Sequence, residues 1–94
     1  MNLTEEQLNE ITEMAYRLIT PGLIAINICV DENDFIQAVR TPGSKARNAF
    51  YQGYLKQQVE LRDAIIKAAK NGSNPAQVEL IKYIKQMQQY VDYE

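Results

Sequence analysis

The chain has 94 residues, of which 46% are hydrophobic and 23% charged, a balance typical of a small folded domain and not of a disordered segment. It has no histidine and one cysteine, Cys29, so no intrachain disulfide can form, and neither a metal site, a cofactor nor a catalytic centre is predicted. No apolar run approaches the ~20 residues of a membrane span, and the acidic start lacks a secretory signal, so we expect an intracellular, cytoplasmic protein.

The net charge of −2 is unevenly distributed along the chain. Residues 1–40 contain two basic and seven acidic residues, a net charge of −5. Residues 41–94 contain eight basic and five acidic residues, a net charge of +3. Any binding of a polyanion is therefore expected to rely on the second part of the chain for phosphate contacts.

Two helices are predicted in the first thirty residues. "LTEEQL" has the pattern of a capping box, in which Thr4 and Gln7 satisfy each other's backbone amides, so a helix is expected to begin at Glu5. Thr20 and Pro21 are typical of a second helix start, "PGLIAINIC". This segment is apolar on nearly all sides, which predicts burial on more than one side and a small buried thiol at Cys29.

Three further helices follow. Asp31 is a predicted cap for "ENDFIQAVR", and "TPGSK" breaks the chain before a long helix from about Lys45 to Lys70. Asn71 and Gly72 are typical of a helix end, and Gly53 predicts either a bend or a close helix contact. In "GSNPAQ", Asn74 is the predicted cap and Pro75 the first residue of the last helix. The prediction is an all-α fold, with a head at 1–41 and a long antiparallel helical hairpin at 44–94.

The segment "IAINICVDENDFIQAV" resembles a helix-turn-helix motif over its whole length. Ala25 is the small residue that lets the two helices cross, and Phe35 is an inward apolar residue of the second helix. Cys29 stands where such motifs usually have glycine. The predicted DNA-binding residues are Asn33, Gln37, Arg40, Lys45 and Arg47.

Two interpretations of these polar residues stay open at this point. In the first, Asn33, Gln37 and Arg40 form hydrogen bonds with the edges of DNA bases, while lysine and arginine side chains of the long helix contact phosphates. In the second, the corner is only structural, the lysines and arginines solvate a helix face, and the chain is a small helical interaction or structural protein. Asp31 and Glu32 favour the second interpretation because they place negative charge at the start of the reading helix.

The long helix carries more apolar and aromatic residues than one neighbouring helix can cover, which predicts a homo-oligomer. Six tyrosines support this prediction because tyrosine is enriched at protein interfaces. They are Tyr16, Tyr51, Tyr54, Tyr83, Tyr90 and Tyr93. The predicted oligomer-interface residues are Tyr54, Leu55, Val59, Leu61, Ile65, Ile66 and Ile84.

The order of these parts is similar to that of the small subunit of a tailed-phage terminase. The similarity covers residues 13–90 and lies mainly in "ELRDAIIKAAKNG", followed by "NPAQ" and a second apolar helix. It implies a ring-forming protein of a phage-infected bacterial host, with a DNA-contacting head from Pro21 to Arg40 and an oligomerisation hairpin from Ser44 to Val91. It also implies a partner, the terminase large subunit. A transcription regulator, as a two-fold dimer on palindromic DNA, is a further alternative.

Overall fold

The computed structural model describes residues 1–92. Tyr93 and Glu94 lie outside the described residues. They are the last two residues of the predicted hairpin, and Tyr93 is one of the six tyrosines that supported the predicted oligomer. Five α-helices and no strands are present in residues 1–92, so the predicted all-α class is confirmed. The helices are α1 (Glu5–Tyr16), α2 (Pro21–Asn27), α3 (Glu32–Arg40), α4 (Lys45–Lys70) and α5 (Asn74–Asp92). No helix in this part of the chain is both long and apolar enough to cross a membrane.

The chain divides into two compact units, residues 1–58 (unit 1) and 59–94 (unit 2). The bounds expected from the sequence, 1–41 and 44–94, differ from these units because the first part of α4 contributes to the core of unit 1. Ala46 and Ala49 are buried there with residues of α1, α2 and α3. The remaining core residues are Ile11, Ala15, Ile24, Ala25, Ile28, Phe35 and Val39.

Within unit 1, α4 lies against the backbone of α1 at Gly53. A methyl group at this position would collide with the carbonyl oxygen of Thr12 and would lie 3.0 Å from the amide nitrogen of Tyr16. The Thr12 hydroxyl donates a hydrogen bond to the carbonyl of Ala49 (3.0 Å), and the Gln57 side chain donates one to the carbonyl of Tyr16 (2.9 Å). Gly53 is therefore the close helix contact that was one of its two predicted roles.

Most predicted helix starts are confirmed, and one is shifted. The Thr4–Gln7 capping box is present, and the Asp31 side chain accepts a hydrogen bond from the amide of Asp34. The prediction that Asn74 caps α5 is wrong: the Ser73 hydroxyl accepts from the amide of Ala76 (3.4 Å), and the helix begins one residue earlier than expected. Serine caps as well as asparagine, so the sequence around Pro75 did not distinguish the two positions.

Three helices end with a residue in the left-handed conformation, followed by two backbone hydrogen bonds that close the last turn. Gly72 has this role after α4, as predicted, with φ +95°. Leu18 after α1 (φ +65°) and Cys29 after α2 (φ +61°) have the same role although neither is glycine. Both side chains are exposed, so the left-handed backbone positions direct them away from the core.

Helix α2 is less buried than its composition suggested. Ile24 and Ala25 are fully buried, whereas Leu23 and Ile26 are each more than half exposed. The expectation that α2 is buried on more than one side is therefore wrong, as is the expectation of a buried Cys29 thiol. A helix of seven residues packs one stripe into the small core of unit 1, and its other face remains at the surface.

In unit 2, the end of α4 contacts α5 at two recorded positions. The Gln77 side chain donates a hydrogen bond to the carbonyl of Ala69 (3.0 Å), and the Arg62 guanidinium lies 4.1 Å from the centre of the Tyr83 ring. Position numbers fall on α4 as they rise on α5, which is the order of contacts in an antiparallel helix pair. This arrangement is compatible with the predicted hairpin.

Candidate nucleic-acid interface

The candidate site is the elbow formed by α2, the turn Ile28–Asp31 and α3 in unit 1. Buried side chains from both helices meet inside the elbow, namely Ile24 and Ala25 from α2 and Phe35 and Val39 from α3. The small side chain of Ala25 lets the second helix approach the first, as a helix-turn-helix requires. The local packing is thus compatible with the helix-turn-helix pattern of this segment.

Cys29 occupies the turn position at which a left-handed residue is needed. Its amide donates to the carbonyl of Ile26 (3.3 Å), and the next amide, that of Val30, donates to the carbonyl of Ala25 (3.0 Å). A left-handed conformation costs roughly 1–2 kcal/mol for a residue with a Cβ atom, which explains why glycine is usual at this position of the motif. Here the chain turns at Cys29, which has φ +61° and therefore carries this conformational strain.

Replacing Cys29 with glycine is expected to stabilise unit 1 by about 0.5–1 kcal/mol. The substitution removes the left-handed strain, and part of the gain is offset by the greater freedom of glycine in the unfolded chain. The urea midpoint followed by circular dichroism measures the change. Cys29→Ala is the matched control, since alanine keeps the Cβ atom and is expected to give no gain. Equal midpoints for Cys29→Gly and Cys29→Ala would contradict the role assigned to this backbone position.

The elbow is held in place by side chains of α1. The Gln7 amide group, already part of the capping box, donates a hydrogen bond to the carbonyl of Ile28 (3.1 Å). The Asn27 side chain donates to the carboxylate of Glu10 (3.1 Å). Both bonds reach the C-terminal end of α2, so α1 fixes the point at which the chain turns towards α3.

The outer face of α3 presents the three residues predicted to read bases. Asn33, Gln37 and Arg40 are exposed, and their spacings of four and three residues place them on one side of the helix. Phe35 and Val39 lie on the opposite side and are buried. The structure therefore brings the predicted reading residues together on a helix whose other face is anchored in the core.

Two of the carboxylates at the start of α3 are engaged with backbone elements of unit 1. The Asp31 side chain caps α3 by accepting the amide of Asp34 at 2.9 Å. The Glu32 side chain folds over the first turn of α2, so that a methyl group added to Gly22 would lie 2.6 Å from Glu32 Oε1. Negative charge near the start of a helix is favourable because it offsets the helix dipole. At the start of α2, the Thr20 side chain makes no capping hydrogen bond, so the Glu32 carboxylate supplies that negative charge. These carboxylates thus have structural roles that the sequence did not reveal.

The two basic residues predicted to contact phosphates occupy different environments. Lys45 is exposed at the start of α4 and borders an open cleft of 530 Å³ that Gln37 of α3 also lines. Arg47 is half-buried and donates a hydrogen bond to the carbonyl of Val39 (3.0 Å), so it closes the C-terminal end of α3. Its guanidinium also lies 4.8 Å from the centre of the Tyr51 ring. Arg47 is therefore bound directly to α3, the predicted reading helix.

The predicted oligomer-interface residues differ in exposure. Tyr54 and Leu55, both in unit 1, are exposed. In unit 2, Val59, Leu61 and Ile84 are exposed, while Ile65 and Ile66 are half-buried. The other exposed apolar residues of α5 were not among the predicted interface residues. Their exposure was not readable from the sequence, because spacing shows which residues share a face and not what covers it.

No protein-family model, curated protein or solved structure matches this chain.

Proposed function

We propose that unit 1 binds double-stranded DNA, with α3 in the major groove and the start of α4 against the phosphate backbone. The observation that carries the proposal is the division of α3 into two faces. Asn33, Gln37 and Arg40 share the exposed face, while Phe35 and Val39 anchor the other in the core. A recognition helix needs this combination, since its polar face must reach the bases from a fixed support.

The chemistry of the exposed face suits base recognition. Asparagine and glutamine side chains form paired hydrogen bonds with adenine, and arginine forms them with the two acceptors of guanine. Asn33, Gln37 and Arg40 supply these groups over two turns of α3. Each well-formed pair contributes about 1–3 kcal/mol of discrimination against the wrong base.

Charge sets the expected strength and salt dependence of this binding. Residues 41–58 contain three basic residues, Lys45, Arg47 and Lys56, and no acidic residue, whereas residues 1–40 have a net charge of −5. The start of α4 therefore supplies the phosphate contacts, and the acidic surface of α1 opposes them at longer range. We expect weak binding by one copy, which salt weakens further.

A wider role follows from the order of the two units. A reading head followed by a helical pair is similar to the small subunit of a phage terminase, which recognises DNA and recruits the large subunit in DNA packaging. We propose that this chain acts as such a DNA-recognition protein in the cytoplasm of a phage-infected cell. The support is the arrangement of parts in the sequence and the exposed polar face of α3.

A second candidate function is a protein-interaction module without DNA binding. It is favoured by the exposed apolar residues Leu23 and Ile26 on α2 and Leu18 just before it, each more than half exposed. Apolar side chains grouped at a surface are typical of protein contacts. This candidate predicts no binding of a DNA duplex, so a DNA-binding measurement distinguishes it from the first candidate.

Fluorescence anisotropy with a labelled mixed-sequence duplex tests the proposed function. Binding is expected at low salt, and the slope of log affinity against log salt is expected to fall by about one unit in Lys45→Ala, because one phosphate contact is lost. Lys85→Ala is the matched control, as it removes an exposed lysine from unit 2 and should leave the slope unchanged. Absence of binding at low salt, or equal slopes in the two variants, would contradict the proposal.

A further inference from the structure

Helix α5 has an apolar surface that the described residues of unit 2, 59–92, do not cover. No side chain in its described residues is buried, although the helix is 19 residues long. Five of its large apolar side chains are each more than half exposed, namely Val78, Ile81, Ile84, Met87 and Val91. In the part of α4 that belongs to unit 2, Ala69 is the buried residue. A helix pair with so little buried apolar area lacks the core that stabilises a compact unit.

The uncovered surface includes a groove between the end of α4 and α5. The groove has a volume of 540 Å³, and its apolar walls come from Ile66 on α4 and from α5. Arg62, stacked on the Tyr83 ring at 4.1 Å, forms part of one wall and fixes the two helices relative to each other at that point. The α5 residues that line it include Leu80, Ile84, Met87 and Val91.

These four α5 residues recur at spacings of four, three and four. This is the spacing of a coiled-coil seam, in which a helix buries one narrow stripe against a facing helix. The same stripe lines the groove of one copy and is available to enter the groove of another. An amphipathic helix in an apolar groove is a recurrent mode of association, and α5 supplies both partners of it.

We infer that the groove of unit 2 receives α5 of a second copy of this chain, so that two helix pairs form a four-helix bundle. Charge is compatible with a second copy and disfavours a nucleic acid or an anionic membrane surface. Residues 59–94 contain five basic and five acidic residues, so two copies of this region carry no net repulsion. A nucleic acid or an anionic membrane surface would require an excess of basic residues, which this region does not have.

The inference stands on unit 2 and does not depend on DNA binding by unit 1. It has a consequence for that proposed function, because two or more linked heads bind DNA more tightly than one through effective concentration. It also assigns the main interface to α5, whereas the residues predicted from sequence lie mainly on α4. Association and DNA binding can fail separately, so each is measured without the other.

Light scattering on a sizing column, with the full chain and no DNA, tests the association. The wild type is expected to form an assembly of at least two copies that dissociates on dilution. Ile84→Glu is expected to raise the concentration for half-association by at least tenfold, because it places a charge in the groove. Gln86→Glu, which places the same carboxylate on a different face of α5, is the matched control and should associate like the wild type. Circular dichroism confirms that both variants fold.

Disulfide cross-linking then tests which surfaces meet. In a Cys29→Ser background, Ile84→Cys is expected to give a covalent dimer on mild oxidation, since the α5 helices of two copies lie side by side in the bundle. Lys82→Cys, exposed on a different face of α5, should give little dimer. A monomeric wild type, an unchanged Ile84→Glu variant, or equal cross-linking at the two positions would overturn the inference.

Discussion

Replacing Gly53 with alanine is expected to destabilise unit 1 by about 3 kcal/mol. The added methyl group meets the carbonyl oxygen of Thr12 and lies 2.9 Å from its carbonyl carbon, so α1 or α4 must move. Overpacking of a close contact costs about 1–3 kcal/mol or more, and the obstacle here is backbone that no side-chain rotation can remove. The better helix propensity of alanine returns only about 1 kcal/mol of this cost.

The displacement would also stretch the hydrogen bonds that join α1 to α4. Thr12 donates to the carbonyl of Ala49 and Gln57 donates to the carbonyl of Tyr16, on either side of the glycine. Urea unfolding followed by circular dichroism measures the loss. Gln52→Ala changes the neighbouring exposed residue of the same helix and should alter stability by less than about 0.5 kcal/mol. A Gly53→Ala midpoint at or above the wild-type value would show that α1 does not lie against α4 at this residue.

Removing Gln37 and Arg40 together is expected to abolish most of the sequence preference of DNA binding while leaving the protein folded. Both side chains are exposed on α3, so their loss creates no cavity. Two base contacts of about 1–3 kcal/mol each correspond to a preference of roughly 30-fold or more. The expected result for Gln37→Ala with Arg40→Ala is that the affinity ratio between the preferred duplex and a shuffled duplex falls to the small preference that Asn33 alone provides.

The preferred duplex is first selected from a random library with the wild-type chain, and both duplexes are then measured at one salt concentration. Lys85→Ala with Gln86→Ala is the matched control, because it removes one cation and one amide from exposed positions of α5. The control should keep the wild-type ratio. A double variant that also keeps it would remove α3 from the reading role.

The local signals in the sequence were sufficient for the helices and most of their ends. Thr4, Asp31 and Gly72 act through groups within a few residues, so the pattern around each predicts its role directly. Leu18 was not predictable in this way, because its left-handed conformation occurs at a residue that is neither glycine nor asparagine. The last turn of α1 is closed there by two backbone bonds, from the Leu18 amide to the Ala15 carbonyl and from the Ile19 amide to the Met14 carbonyl.

Contacts between elements were less predictable from the sequence. Gly53 was recognised as a bend or a close contact, but its neighbour in α1 depends on packing across about forty residues. The bond from Arg47 to the Val39 carbonyl and the position of Glu32 over Gly22 were missed for the same reason. Arg47 and Glu32 matter for the candidate site because their charged groups contact the protein itself, at the carbonyl of Val39 and over Gly22.

Burial was predicted poorly where a helix is short or a unit is small. The composition of α2 indicated a helix surrounded by protein, yet Leu23 and Ile26 are exposed because unit 1 offers only one face to pack against. In α5, the sequence predicted a second apolar helix of the hairpin, yet no residue of Asn74–Asp92 is buried. In both cases the sequence identifies an apolar face correctly, and the extent of the core decides whether the face is hidden.

The most direct measurement is an amide chemical-shift titration of the labelled full chain with a short DNA duplex at low salt. The proposed function predicts that the largest changes fall on the outer face of α3, at Asn33, Gln37 and Arg40, with smaller changes at the start of α4 near Lys45. The amides of α5 are expected to change little, because residues 59–94 carry no net charge and include none of the predicted base-reading residues. Shifts confined to other surfaces, or no shifts at all, would contradict the assignment of α3 as a DNA-reading helix.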